Sequence, residues 1–162
     1  MSAELARLCQ RIDQELDSID IALDRTLSAW QHFEASQIDL YLDSVALNLH
    51  SLYSGFERIF EAIAVTIDGT RPVTRNWHQV LLEQMVTERP ETRPAVISQS
   101  GYTLLQDYCR FRHVVRHNYS FQLEADKLQP LVTQAPQMVI QISRELQELR
   151  QWLQGFTNEG DG

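Results

Sequence analysis

Glycine and proline are scarce in this chain, six and five in 162 residues, and they are clustered rather than spread. A fold of many short strands needs frequent turn residues, so this scarcity favours long helices. Cysteine is nearly absent, with Cys9 and Cys109 the two present. They lie far apart, fit no metal-ligand spacing, and read as reduced, partly buried thiols rather than a disulfide. No run approaches the roughly 18 uninterrupted apolar residues of a membrane span. The start, Met1-Ser2-Ala3-Glu4-Leu5, lacks the basic segment and apolar run of a signal peptide. A soluble cytoplasmic protein with no membrane association is the expectation. Positive charge is also short: 14 Lys and Arg against 22 Asp and Glu leave a net charge of -8. The overall field repels nucleic acid, which excludes a generic DNA coat and requires any nucleic-acid contact to be local.

What is present points to one helical domain. Hydrophobic residues make up 43% and charged residues 22% of the chain, ordinary globular usage. A chain of this length buries about 70% of its unfolded surface and needs no disulfide or metal staple. Residues 3–33 carry Leu5, Leu8, Ile12, Leu16, Ile19, Leu23, Leu27, Trp30 and Phe33 at steps of three and four, a narrow amphipathic stripe. Ser36 suits the N-cap of a second helix, predicted over about 37–67 and apolar on more than one face. Gly55 in its middle costs roughly 1 kcal/mol against Ala and is best explained by close packing of another helix.

Asp68-Gly69-Thr70-Arg71-Pro72 is a stop signal, with Gly69 as a left-handed cap. A short helix is predicted over about 76–87, with Asn76 as a possible N-cap and Trp77, Val80, Leu81 and Met85 on its apolar side. A fourth segment runs from about 95 to 117. A last helix runs over about 125–153, with Pro130 in its first turns and Pro136 placed to kink it. The expected fold is all-α: an up-and-down helical bundle of four main helices plus a short helix. Residues 1–154 form the domain and 155–162 a disordered acidic tail.

One stretch departs from the acidic background. Five of the ten residues in Arg110-Phe111-Arg112-His113-Val114-Val115-Arg116-His117-Asn118-Tyr119 are Arg or His. With Leu104, Tyr108, Phe111 and Val115 taken as the core face, helical geometry puts Arg110, His113 and His117 together on the far side. Arg112 and Arg116 flank the buried face. The cations should therefore point away from the core. Cations at a helix C-terminus are favoured by the macrodipole, which is the plain reading of such a cluster. Two histidines, however, are a poor choice for charge alone near neutrality. RNA carries its own nucleophile in the 2′-hydroxyl. A His can move the proton that attack requires, and a guanidinium can hold the charge gathering on phosphorus. No metal or other cofactor is needed for that chemistry. Glu57 and Glu61, one turn apart on the second helix, are placed to pair with one of these arginines or to be ordinary surface carboxylates.

The stretch resembles the Arg-x(4–6)-His-x-Tyr motif of HepT-like ribonuclease toxins in the HEPN superfamily. Arg112-x4-His117-x-Tyr119 satisfies it, and so does Arg110-x6-His117-x-Tyr119. Leu47–Phe60 and Phe111–Phe121 also look like this family, and the resemblance covers about residues 5–150. It implies a HEPN-like homodimer with the motifs facing each other across a cleft, and metal-independent endoribonuclease activity of a toxin. It further implies a minimal nucleotidyltransferase antitoxin that silences the toxin by transferring AMP to the motif tyrosine. Carried onto this chain, Arg112 would hold phosphate, His117 would be acid or base, and Tyr119 would take AMP. Arg110, His113 and Arg116 would steer RNA. The alternative is a non-catalytic dimeric subunit that binds nucleotide or RNA for a nucleotidyltransferase.

Overall fold

The computed structural model describes residues 2–117 and 123–158, with the side chains of Arg116, His117, Thr157 and Asn158 outside the description. The described residues form five α-helices: α1 (Ala3–Ser36), α2 (Leu40–Ile63), α3 (Trp77–Val86), α4 (Gln99–His117) and α5 (Ala125–Asn158). No strand is among them, only an isolated bridge between Arg89 and Arg93. The bundle is all-α, with α1, α2, α4 and α5 as its main helices and α3 packed on α2 and α4. None of the described helices is long and apolar enough to cross a membrane. Cys9 and Cys109 are buried and unbridged.

α1 opens on Ser2, whose hydroxyl accepts from the Leu5 amide at 3.3 Å. It buries Leu8, Ile12, Leu16, Ile19 and Phe33 from the predicted stripe, with Leu5, Leu23, Leu27 and Trp30 at its half-covered edge. It ends on Gln37, which takes the left-handed conformation (φ 57°) and returns its N–H to the Phe33 carbonyl at 2.7 Å. Ser36 therefore closes α1 rather than opening α2. Its hydroxyl donates to the His32 carbonyl at 2.7 Å and accepts from the Ile38 amide at 3.2 Å. α2 starts three residues later than the sequence suggested and is flanked by Asp39.

α2 is the central helix, as its broad apolar surface predicts, and buries Leu42, Val45, Leu49, Leu52, Tyr53, Phe56, Ile59, Phe60 and Ile63. α1 is its chief partner, and Gly55 is where the two come closest. A Cβ there would stand 2.6 Å from Ile19 Cγ1. Gly55→Ala should gain about 1 kcal/mol in helix propensity and lose about 1–3 kcal/mol to overpacking. The expected net result is a lower midpoint of thermal unfolding, recovered in Gly55→Ala/Ile19→Ala relative to Ile19→Ala alone.

The chain leaves α2 through a π-helical turn, Ala64–Asp68, and Gly69 (φ 69°) ends it as expected. Asp68 then meets Arg93, from the loop beyond α3, in a bidentate pair of 2.7 and 2.8 Å, with both side chains fully buried. The remaining Arg93 N–H groups reach the carbonyls of Thr87, Pro94 and Gln84 at 3.0–3.1 Å. All five guanidinium donors thus have acceptors. This latch ties the segment after α3 to the end of α2.

α4 begins behind Ser98, whose hydroxyl accepts from the Gly101 amide at 3.1 Å. Its buried face is Gly101, Leu105, Tyr108 and Cys109, while Leu104, Phe111 and Val115 are only partly covered. The face is turned from the one read off the sequence. Packing against α2 and α5 supplies the reason. At Gly101 a Cβ would lie 2.9 Å from both Ile142 Cδ1 and Glu145 Oε2 of α5. With glycine there, the ends of these two α5 side chains sit directly against the α4 backbone. α5 buries Leu128, Leu131, Val132, Ala135, Met138, Val139, Ile142, Leu146, Leu149 and Leu153. It is helical across Pro130 and Pro136 and runs to Asn158, into the stretch read as a tail, while residues 159–162 lie outside the described ones.

Candidate functional site

The corrected face of α4 changes the place of Arg112. From Gly101 to Leu105, on to Tyr108 or Cys109, and from either to Arg112, each step is three or four, so Arg112 continues the buried face. Its side chain is 13% exposed and turns toward α2, not away from the core as the cations were expected to do. What it meets there is Glu57, whose side chain is 5% exposed, with Arg112 Nε 3.5 Å from Glu57 Oε1. A carboxylate at that depth requires partners.

The second partner of Glu57 is His78, at the start of α3. Its Nδ1 lies 2.7 Å from Glu57 Oε2, and its Nε2 lies 2.9 Å from Arg112 Nη1. The ring of Trp77 lies against His78, with centroids 3.5 Å apart and planes tilted by 33°. Three helices thus contribute one charged or titratable group each to a closed triangle. The latch of Arg93 on Asp68 fixes α3 beyond its far end, and the bond of His78 to Glu57 fixes its beginning.

Tyr53 and Cys109 border the triangle. Burial pushes the Tyr53 hydroxyl well above its usual pKa. Burial also pushes the Cys109 thiol up, and the Glu57 carboxylate adds to the shift against opposing effects of Tyr53 and Arg112. Cys109 is accordingly a protonated packing residue and not a nucleophile.

The two candidate motif arginines are in different settings. Arg110 is exposed and pairs with Asp107 one turn back at 2.7 Å, whereas Arg112 is held between Glu57 and His78. His113 is exposed on the outer side of α4. His117 is the last residue of α4, and its side chain and that of Arg116 lie outside the described residues, as does Tyr119. Of the two carboxylates considered as arginine partners, Glu57 takes Arg112, while Glu61 pairs with Arg71 at 3.3 Å.

His78 was missed in the sequence. Its signal was available, because His78 stands three, four and seven residues before the buried Leu81, Leu82 and Met85. A histidine on that face of a short helix is directed inward. A cavity of about 510 Å³ lies elsewhere, lined in part by Leu5, Arg89, Arg93, Trp152 and Phe156, and Arg110, Arg112 and His113 do not border it.

No curated protein and no solved structure matches the chain. The family model described as HepT-like protein matches residues 44–153, well over half of the length, and the match takes in α3, α4 and nearly all of α2 and α5. It thus contains Glu57, His78, Arg112, His117 and Tyr119 together. The chain belongs to the HepT-like proteins, toxin-like members of the HEPN superfamily.

Proposed function

We propose that this protein is the toxin of a toxin–antitoxin pair and cleaves RNA without a metal, at a cleft between two copies of the chain. The 2′-hydroxyl attacks the adjacent phosphorus, a 2′,3′-cyclic phosphate forms, and the bond to the 5′-oxygen breaks. His117 takes the 2′-hydroxyl proton or gives one to the leaving oxygen, and two copies supply both roles. Arg112 holds the negative charge gathering on the phosphoryl oxygens. Arg110, His113 and Arg116 draw RNA to an otherwise acidic molecule. A minimal nucleotidyltransferase silences the site by transferring AMP to Tyr119, which puts negative charge and bulk among the cations.

The observation that carries this reading is the setting of Arg112. A guanidinium half withdrawn into the bundle, oriented by a buried carboxylate and an imidazole, is arranged for a task and not for solvation. It stands on the same helix as His117, at the spacing the family motif requires, whereas Arg110 is occupied with Asp107 at the surface.

The test is cleavage of a mixed-sequence single-stranded oligoribonucleotide in EDTA by protein whose intact mass shows no added AMP. Arg112→Ala should lower turnover by roughly 10²–10³-fold, as expected for one donor to a developing anion. Arg110→Ala should raise KM, as loss of a steering charge does, and change kcat by less than about 3-fold. Equal effects at the two positions would sink the assignment of Arg112. A folded, unmodified wild type that cuts no RNA would sink the ribonuclease itself and favour the nucleotide- or RNA-binding subunit.

A further inference from the structure

The triangle of Glu57, His78 and Arg112 contains a directional constraint. Arginine only donates hydrogen bonds, because its guanidinium has five N–H groups and no acceptor. The 2.9 Å contact of Arg112 Nη1 with His78 Nε2 therefore requires a lone pair on Nε2. The ring's proton is then on Nδ1, where Glu57 Oε2 receives it at 2.7 Å. The direction of every bond follows: Arg112 donates to His78, and His78 donates to Glu57. A proton added at Nε2 would set N–H against N–H and a cation against a guanidinium.

We infer that His78 is a positioning residue, fixed by Glu57 as the neutral Nδ1–H tautomer so that its Nε2 aims the Arg112 guanidinium for a phosphoryl group. The role of the aimed guanidinium rests on the ribonuclease reading above; the tautomer does not. Direct pairing with Glu57 alone would leave Arg112 poorly held. Its Nε lies 3.5 Å from the carboxylate, beyond a good hydrogen bond, and is buried without any other partner. The 2.9 Å bond to His78 is therefore the well-formed contact that defines the plane of the guanidinium. The Trp77 ring, in close tilted contact with the imidazole, restricts rotation of His78 in turn. This is the arrangement by which a carboxylate selects the tautomer of a histidine whose other nitrogen does the work. Here the work is done on an arginine. The charged groups that touch the ring are Glu57 from α2 and Arg112 from α4.

Two measurements test this on the whole protein. Nitrogen NMR of ¹⁵N-histidine-labelled protein, with His78→Gln for assignment, should show at neutral pH a ring protonated on Nδ1 and bare on Nε2. In Arg112→Met, which keeps the bulk and removes the donor, the Nε2 resonance should move as its hydrogen bond is lost while Nδ1 stays protonated toward Glu57. The second measurement is turnover of the mixed-sequence oligoribonucleotide. His78→Leu should lower kcat roughly 10- to 100-fold, the range seen when an outer group that orients a functional one is removed, with a smaller change in KM. His78→Gln, which offers an amide oxygen in place of Nε2, should recover most of kcat. A proton found on Nε2, or wild-type turnover in folded His78→Leu, overturns the inference. Should His78→Leu not fold, the tautomer and its response to Arg112→Met decide. The predicted tautomer in a wild type that cuts no RNA would remove the ribonuclease and leave the tautomer standing. The reversed tautomer in a protein that cuts RNA would remove this inference alone.

Discussion

His117→Ala is expected to lower RNA cleavage by roughly 10²–10⁴-fold, the contribution of a positioned general acid or base, and to abolish growth inhibition with it. The expectation follows from what else is within reach. Cys109, the other nucleophile-bearing residue near this end of α4, is pushed toward the thiol by burial, with Glu57 adding to the shift. His78 is committed on both ring nitrogens, to Glu57 and to Arg112. A proton carrier tuned near neutrality is left to the histidines of α4 itself. Of these, His117 stands at the helix end with the motif spacing from Arg112. If two copies supply acid and base separately, the pH–rate profile of wild type has two limbs, and both should vanish together in His117→Ala. The comparison needs protein free of AMP by intact mass, since a modified Tyr119 would silence wild type and variant alike. Cleavage by His117→Ala at the wild-type rate would remove His117 from the mechanism.

The bundle was legible in the sequence because burial in long helices repeats. The last helix, predicted over about 125–153, buries its apolar residues at helical spacing from Leu128 to Leu153, and the Gly69 stop and the buried central helix are where the sequence patterns placed them. α4 was less legible for a physical reason. Leu104, Leu105, Tyr108, Cys109, Phe111, Val114 and Val115 spread apolar residues around much of its circumference, so composition does not fix the phase. Packing against α2 and α5 fixes it, with Ile142 and Glu145 of α5 seated against Gly101 on one side. That is a property of the packed helices together, and it moves Arg112 from the rim of the face onto the face. Glu57 was noticed as a partner for a motif arginine, but its pairing needed the same phase. His78 was hidden because it is far in sequence from both residues it joins. The Asp68–Arg93 latch was hidden too: its aspartate belongs to the stop signal after the second helix, and its arginine lies far along the chain, outside every predicted helix.

That latch carries the largest expected effect on stability. Asp68→Ala leaves the Arg93 guanidinium fully buried without its counter-charge, and removing one partner of such a pair costs about 3–5 kcal/mol. In a chain of this size that corresponds to a fall of roughly 10 °C in the unfolding midpoint. Replacing both partners, Asp68→Leu with Arg93→Met, should recover a large part of the loss, because no unpaired charge then remains buried. The pair also sets a pH response. Burial alone would raise the Asp68 carboxyl, but the bonds from Arg93 and Gln84 and the charges of Arg93 and Arg89 outweigh it and hold its pKa below the usual value. A depressed folded pKa stabilises above the unfolded value of about 3.9. That contribution should be lost as pH falls from there through the folded pKa. Acid unfolding of wild type should therefore begin just below that value, and the double variant should lack this component. The latch also bears on the candidate site, because the segment it anchors follows α3 and α3 carries His78. Arg93→Lys keeps the charge but cannot reproduce five donors in a fixed plane. It should therefore loosen α3 and misalign Arg112 under conditions where the bundle is still folded. Lower turnover in folded Arg93→Lys, with the His78 ring no longer held in one tautomer, is the expected result. Full turnover with the His78 tautomer unchanged would show that the latch supports the fold alone.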